Sequence, residues 1–126
     1  MCAIFGVFNV REAAKVTCTG LHAQQHRATD GAGIVTFDGA HLHRKAGHGL
    51  ALDVFTDAEL DRLHGRSAIG HLRYSTVEDN AVFENLQPIV KRCLDRSEVA
   101  IAHNGNITNV HELKAALPDV EWQTSM

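Results

Sequence analysis

Short apolar blocks separated by turn residues run through this chain of 126 residues and predict a series of strands. The block at residues 3–9 is almost continuously apolar, which is typical of a strand buried on both faces, and it places Cys2 at the strand's start. The dipeptide Asp38-Gly39 favours a tight turn between two antiparallel strands. The other predicted strands are 33–37 and 40–43 on either side of that turn, and 67–74, 88–93 and 98–103.

Apolar residues at helical spacing predict three helices. The first covers residues 11–25. The second begins at Thr56, because Glu59 three residues later completes a capping box, and it is short, about two turns. The third begins at Asn109, whose side chain is a good helix cap, and ends at Pro118. Strands and helices alternate without repeats, so the pattern indicates one mixed α and β domain or a piece of one.

Composition and charge narrow the classes of partner. The chain has 12 basic and 15 acidic residues, a net charge of −3 and no basic run, which argues against a nucleic-acid or membrane-surface partner. No apolar run approaches the ~18 residues of a membrane span, and no export signal is expected. Three cysteines without a CxxC pair do not indicate a disulfide framework, so we expect a cytoplasmic location.

The nine histidines give a weak case for a metal site. His41 and His43 would share one face of a strand, as two metal ligands can. Because no cysteine or carboxylate completes a ligand set nearby, we interpret the pair as polar residues on the rim of a solvated hairpin. No metal site is predicted.

Cys2 is the first candidate for catalysis, because removal of Met1 would leave a thiol and a free amine on one residue. An N-terminal amine titrates near pH ~8, so part of it is neutral at physiological pH. The neutral amine can accept the thiol proton and activate the sulfur as a nucleophile. A cysteine at this position can also be incidental, so its surroundings must decide.

Residues 102–109 contain candidate donors for an oxyanion hole. Asn104 offers a side-chain amide, and Gly105 offers a backbone N–H that can be approached closely because no Cβ obstructs it. Two such donors can stabilise the negative oxygen of a tetrahedral intermediate. The alternative is a type I′ hairpin turn, which the Asn-Gly dipeptide commonly forms.

Residues 70–76 place Arg73 on a predicted strand, next to hydroxyl-bearing residues such as Tyr74 and Thr76. The planar guanidinium can grip a substrate carboxylate with two hydrogen bonds, or it can form an internal salt bridge. The stretch 75–85 has no periodicity and predicts a loop, a kind of segment that often carries binding residues.

Four segments together resemble a known family, the glutaminase domain of class II glutamine amidotransferases, in order and spacing. The segments are MCAIFGV (1–7), HRATDGAGI (26–34), GHLRYST (70–76) and AHNGNITN (102–109). The resemblance covers essentially the whole chain and implies an α+β fold, the αββα sandwich of N-terminal-nucleophile hydrolases. It also implies that glutamine is the substrate, and it gives roles to five residues: Cys2 as the nucleophile, Asn104 and Gly105 as oxyanion donors, Arg73 as the clamp on the α-carboxylate, and Thr76 as a lesser substrate contact.

Within this family the segments 21–27 and 47–55 are most similar to members that transfer ammonia to phosphoribosyl pyrophosphate, the opening step of purine synthesis. That resemblance implies a glycosyltransferase and a homo-oligomer, with phosphoribosyl pyrophosphate and magnesium bound by a further domain. It also leaves room for an iron–sulfur cluster outside this segment. The alternatives are another class II synthase, such as glutamine–fructose-6-phosphate transaminase or asparagine synthetase, or an inactive fragment that serves only as an interaction module.

The chain departs from the family pattern in several places. Alanine stands at Ala3, where glycine is usual, and Ala28-Thr29 replaces a pair that begins with glycine, which bears on efficiency. After a stretch like 123–125 the family continues to an aspartate that binds the α-amine of glutamine, whereas this sequence stops at Met126. We therefore expect residues 1–126 to be the N-terminal part of the glutaminase domain, without its remainder or a phosphoribosyltransferase domain, and to be inactive alone.

Overall fold

The computed structural model of the protein describes residues 1–74, 85–93, 95–105 and 107–120. These residues form two antiparallel sheets and a layer of helices. A single 3-10 turn, Gln25–Arg27, follows the first helix. In chain order the elements are β1 (Ala3–Val7), α1 (Ala13–Ala23), β2 (Gly31–Phe37), β3 (Leu42–His48), α2 (Ala51–Val54), α3 (Asp57–Arg62), β4 (Ser67–Arg73), β5 (Ile89–Arg92), β6 (Glu98–Ile101) and α4 (Val110–Ala116).

Strand β4 lies inside the larger sheet, whose strand order is β1-β4-β2-β3. Both of its neighbours are antiparallel to it: Ala3 of β1 pairs with Leu72, and Gly31 of β2 pairs with Arg73. The starts of β1 and β2 therefore both lie beside the end of β4. Strands β5 and β6 pair with each other in a separate two-stranded sheet.

One face of the larger sheet packs against α1 and α2 and holds the hydrophobic core. Leu21 of α1, Ile34 of β2 and Leu72 of β4 are fully buried there. Gly70 of β4 permits the close approach of α1, because a Cβ at this position would lie only 2.7 Å from Cγ2 of Thr17. The helix layer thus rests directly on the strand that ends at the candidate site.

The opposite face of the sheet carries the segment 86–88, which lies over β2. Gly33 of β2 makes this placement possible, because a Cβ at this position would overlap the backbone of Gln87. Arg44 of β3 holds the segment in place: its Nε donates to the carbonyl oxygen of Pro88 at 2.7 Å, and its Nη2 donates to that of Leu86 at 2.5 Å. Hydrogen bonds from a charged donor contribute about 1.5–3 kcal/mol each, so the segment is well fixed against the sheet.

The predicted strands are confirmed, with two corrections to β1 and β3. The prediction that β1 is buried on both faces is wrong: Ala3 is 2% exposed, but Ile4 on the opposite face is 40% exposed. The strand lies at one end of the four-stranded sheet, and only its helix-facing side reaches the core. The hairpin is confirmed, but β3 runs from Leu42 to His48 instead of over 40–43, because it pairs with β2 along its whole length, from Leu42 opposite Phe37 to His48 opposite Gly31.

The helices are confirmed in number and order except for α2, whose single turn is too short to show a periodicity. Thr56 caps α3 as predicted, since its hydroxyl accepts from the backbone N–H of Glu59 at 3.4 Å. Asn109 precedes α4, but its side chain makes no capping hydrogen bond, so that part of the prediction is wrong. Its backbone, at φ −109° and ψ 35°, is not extended as a capping residue requires. The predicted loop falls almost entirely on 75–84, outside the described residues.

The helices of the described ranges are all too short or too polar to cross a membrane.

Candidate active site

Cys2 lies immediately before β1, at the end of the sheet where β4 terminates. Its Sγ is 3.9 Å from the carbonyl oxygen of Tyr74, and the residue is only partly buried. Arg27 donates from Nε to the carbonyl oxygen of Cys2 at 3.2 Å and accepts from the amine of Met1 at 3.4 Å through its own carbonyl. The contact to the Cys2 carbonyl does not depend on Met1, so it can hold the nucleophile's backbone after that residue is removed.

Arg73 is the last residue of β4 and is buried, at 7% exposed. Its Cβ lies on the same face of the sheet as the segment 86–88, opposite to the helices. A Cβ built on Gly31 would contact both Leu86 and the Cβ of Arg73, so these two groups share that face. Its backbone oxygen accepts from the N–H of Asp30 at 3.1 Å, which ties the end of β4 to the entry of β2. A guanidinium in this place is close to the strand end that Cys2 contacts, where a substrate carboxylate would need it.

The segment His103-Asn104-Gly105 follows β6 and leads toward α4. The interpretation of Asn104-Gly105 as a hairpin turn is therefore wrong, because the next described element is a helix and not a paired strand. All three residues are exposed, and the ring of His103 lies over Gly105, where a Cβ would come within 2.7 Å of Nε2. The glycine lets the chain pass close to this ring. No described residue accepts a hydrogen bond from the N–H of Gly105, so this group is free to serve as a donor.

His71 links this segment to β4. Its Nε2 is 3.2 Å from the carbonyl oxygen of His103, and a carbonyl can only accept, so Nε2 carries the proton. Burial, with the nearby positive charge of Arg73 as a lesser cause, lowers the pKa of His71 to about 4. The imidazole is therefore neutral at physiological pH and acts as a fixed hydrogen-bond donor.

Four of the five candidate residues can be placed, and all lie around the end of β4. Cys2 contacts Tyr74, Arg73 ends the strand, and Asn104 and Gly105 are joined to the strand through the hydrogen bond between His103 and His71. Within the described residues no hydrogen bond links Cys2 directly to Asn104 or Gly105, as expected of groups that bind different atoms of one substrate. Thr76 falls outside the described residues.

Sequence reasoning did not identify Arg27, His71 or Gln87, three residues that hold the candidate site together. The first two lie in the quoted segments HRATDGAGI and GHLRYST, and His71 shares a strand face with Arg73, which was the available signal. No sequence pattern marked Gln87 as part of the site. Its Oε1 accepts from the backbone N–H of His103, and a contact across 16 positions leaves no local pattern in the sequence.

His41 and His43 of the hairpin both form hydrogen bonds with Asp38 in its turn. His43 Nε2 lies 2.7 Å from Oδ2 of Asp38, a contact that holds the pKa of this carboxyl well below its usual range. Asp38 also accepts from the N–H groups of Ala40 and His41, each at 2.8 Å. In the described parts of the chain, no group of three or more His, Cys, Asp or Glu residues could hold a metal ion.

The chain matches amidophosphoribosyltransferases over most of its length. It is 43% identical over 116 residues to that of Bacillus subtilis strain 168, which covers 92% of this chain and 24% of the relative. It is 45% identical over 119 residues to that of Lacticaseibacillus casei, covering 94% of this chain and 60% of the relative. The chain therefore spans less than two thirds of the length of these relatives. No family model matches the chain.

Two solved structures share the fold. Glutamine phosphoribosylpyrophosphate amidotransferase from B. subtilis, complexed with ADP and GMP, has a TM-score of 0.87 at 41% identity, over 100% of this chain and 27% of the other. A structure described as the allosteric regulatory enzyme of purine biosynthesis has a TM-score of 0.89 at 40% identity, over 98% of this chain and 27% of the other.

The fold is therefore the N-terminal-nucleophile fold of class II glutaminase domains, of which the described residues form a part, as the four motifs predicted. Within that class the chain is homologous to the amidophosphoribosyltransferases. The predicted resemblance is confirmed, and the alternatives of glutamine–fructose-6-phosphate transaminase and asparagine synthetase are not favoured.

Proposed function

We propose that this chain supplies the nucleophile and the oxyanion-stabilising groups of the glutaminase site of an amidophosphoribosyltransferase. The single observation that carries the proposal is the convergence on the end of β4 of Cys2, Arg73 and the segment 103–105. The three kinds of group that glutamine hydrolysis needs, a nucleophile, a carboxylate clamp and oxyanion donors, therefore share one strand as their support.

The reaction follows from these groups. After loss of Met1, the amine of Cys2 takes the thiol proton, and Sγ attacks the side-chain amide carbon of glutamine. The carbonyl oxygen becomes negative in the tetrahedral intermediate and accepts hydrogen bonds from the Asn104 amide and the Gly105 N–H. The C–N bond then breaks, the amine returns its proton, ammonia leaves, and water hydrolyses the thioester to glutamate.

The remainder of the activity is proposed from the relatives. In the amidophosphoribosyltransferases the ammonia is used on phosphoribosyl pyrophosphate, and we propose the same acceptor for the protein that carries this chain. Magnesium, an iron–sulfur cluster and self-association would concern regions other than the residues described above. The three cysteines are free thiols, which supports our proposal of a cytoplasmic location.

A diazoketone analogue of glutamine should alkylate the mature protein once, on the N-terminal peptide that begins with Cys2, and glutamine should protect against it. The reason is that only this thiol carries its own amine base. Intact-mass and peptide mass spectrometry of the protein at its natural length measure the adduct. An adduct on Cys18 or Cys93 that glutamine blocks would overturn the proposal.

Arg73→Leu should raise the KM for glutamine by about 30-fold or more with a smaller change in kcat, because loss of one partner of a buried charged hydrogen bond costs about 2 kcal/mol or more. Steady-state glutamate release measures both constants. Arg62→Leu is the matched control, because the Arg62 side chain is 77% exposed and lies in α3. An unchanged KM for Arg73→Leu would leave Arg73 with a structural role only.

A further inference from the structure

We propose that His71 and Gln87 are positioning residues for the oxyanion donors: together they fix the backbone of His103 and thereby orient Asn104 and Gly105. The inference deepens the proposed glutaminase function and rests on it for its catalytic consequence. Neither residue touches the substrate in this proposal.

The backbone of His103 is held on both of its polar groups by side chains from elsewhere in the chain. His71 donates from Nε2 to its carbonyl oxygen at 3.2 Å, and Gln87 accepts through Oε1 from its N–H at 2.5 Å. His71 is 1% exposed and Gln87 is 9% exposed, so the exposed His103 is held by two side chains that are themselves buried. The carbonyl that His71 binds belongs to the peptide unit that continues into Asn104.

Both supports are themselves rigid. His71 lies on β4, which has a hydrogen-bonded strand on each side. Gln87 lies in the segment 86–88, which Arg44 holds through the two carbonyl oxygens that flank Gln87. Gly33 lets this segment rest directly on the sheet, because a Cβ there would overlap the Gln87 carbonyl. His103 is thus fixed relative to the strand that also carries Arg73.

The oxyanion donors need such a support, because they have little of their own. Asn104 and Gly105 are exposed, and within the described residues no hydrogen bond holds the Asn104 side chain or the Gly105 N–H in place. Donor positions matter to within about 0.5 Å in a catalytic site. Movement of the His103 backbone would therefore displace both donors and weaken their stabilisation of the transition state. Neutral His71 suits the task, since it offers one N–H and adds no charge beside Arg73.

The test compares two substitutions of similar length at His71 in the protein at its natural length. His71→Met removes the donor, whereas His71→Gln places an amide N–H at a comparable reach. We expect His71→Met to lower kcat for glutamine hydrolysis by about 10-fold or more, with the KM for glutamine within about twofold of the wild type. His71→Gln should recover most of the loss. Gln87→Met should show the same split as His71→Met.

A second readout separates positioning from general damage. Iodoacetamide alkylates Cys2 by displacement of iodide, a reaction that forms an S–C bond and develops no negative carbonyl oxygen. Its rate, measured on the N-terminal peptide, should be unchanged in His71→Met if only the oxyanion donors have moved. A parallel fall in kcat, alkylation rate and melting temperature, without rescue by His71→Gln, would show a structural role and overturn the proposal.

Hydrogen exchange tests the positioning without relying on catalysis. The amide of His103 should exchange about 10-fold faster in His71→Met, although its own acceptor, Gln87, is intact, because the peptide is then held on one side only. Unchanged exchange together with unchanged kcat would overturn the inference. If the wild type failed to hydrolyse glutamine while this exchange effect was present, the proposed function would fail and the positioning of the segment would stand.

Discussion

Under the proposed function, Cys2→Ala should abolish glutamine-dependent synthesis, with a fall in rate of more than about 10³-fold, because the thioester forms on Cys2. Synthesis from added ammonium salts should remain near the wild-type rate, since ammonia enters after the step that needs the thiol. The measurement is phosphoribosylamine formation by the protein at its natural length, with glutamine and with ammonia in parallel assays.

The other two cysteines supply the controls for this result. Cys18 is 3% exposed on the buried face of α1, and burial raises the pKa of its thiol, so it is a poor nucleophile. Cys93 is exposed just after β5, at the end of the two-stranded sheet opposite to the segment 103–105. Cys18→Ala and Cys93→Ala should keep glutamine-dependent turnover. If Cys93→Ala lost turnover with glutamine but kept it with ammonia, the nucleophile would have been misidentified.

Local signals in the sequence predicted most of the elements of this fold. The Thr56 cap of α3 and the hairpin turn that contains Asp38-Gly39 are each specified within four or five residues, and both are present. The single turn of α2 carried too few residues for a period to appear. The burial of β1 on one side only depends on what packs against each face, which a short apolar run cannot reveal.

The candidate site divides in the same way. Cys2, Arg73, Asn104 and Gly105 could be singled out because the chemistry of each is visible in its residue type and its motif. The contacts that support these residues could not be predicted, because they join distant parts of the chain: His71 meets His103 across 32 positions, and Arg44 meets Leu86 across 42. The packing space at Gly33 is likewise set by Gln87, far along the sequence.

Asn104→Ala should lower kcat for glutamine hydrolysis by about 10²-fold to 10³-fold with little change in KM, because an oxyanion donor acts on charge that exists only in the transition state. The same variant should keep ammonia-dependent synthesis. Steady-state kinetics with glutamine, followed by glutamate release, measures the effect.

Asn109→Ala is the matched control for Asn104→Ala, since it makes the same substitution five residues later. The Asn109 side chain makes no capping hydrogen bond to α4, so its loss should leave kcat within about twofold of the wild type and lower stability little. A large rise in KM for Asn104→Ala with an unchanged kcat would mean that this amide binds ground-state glutamine. Equal losses in both variants would mean that the segment after β6 contributes through its fold alone, and the oxyanion hole would then have to be sought elsewhere around the end of β4.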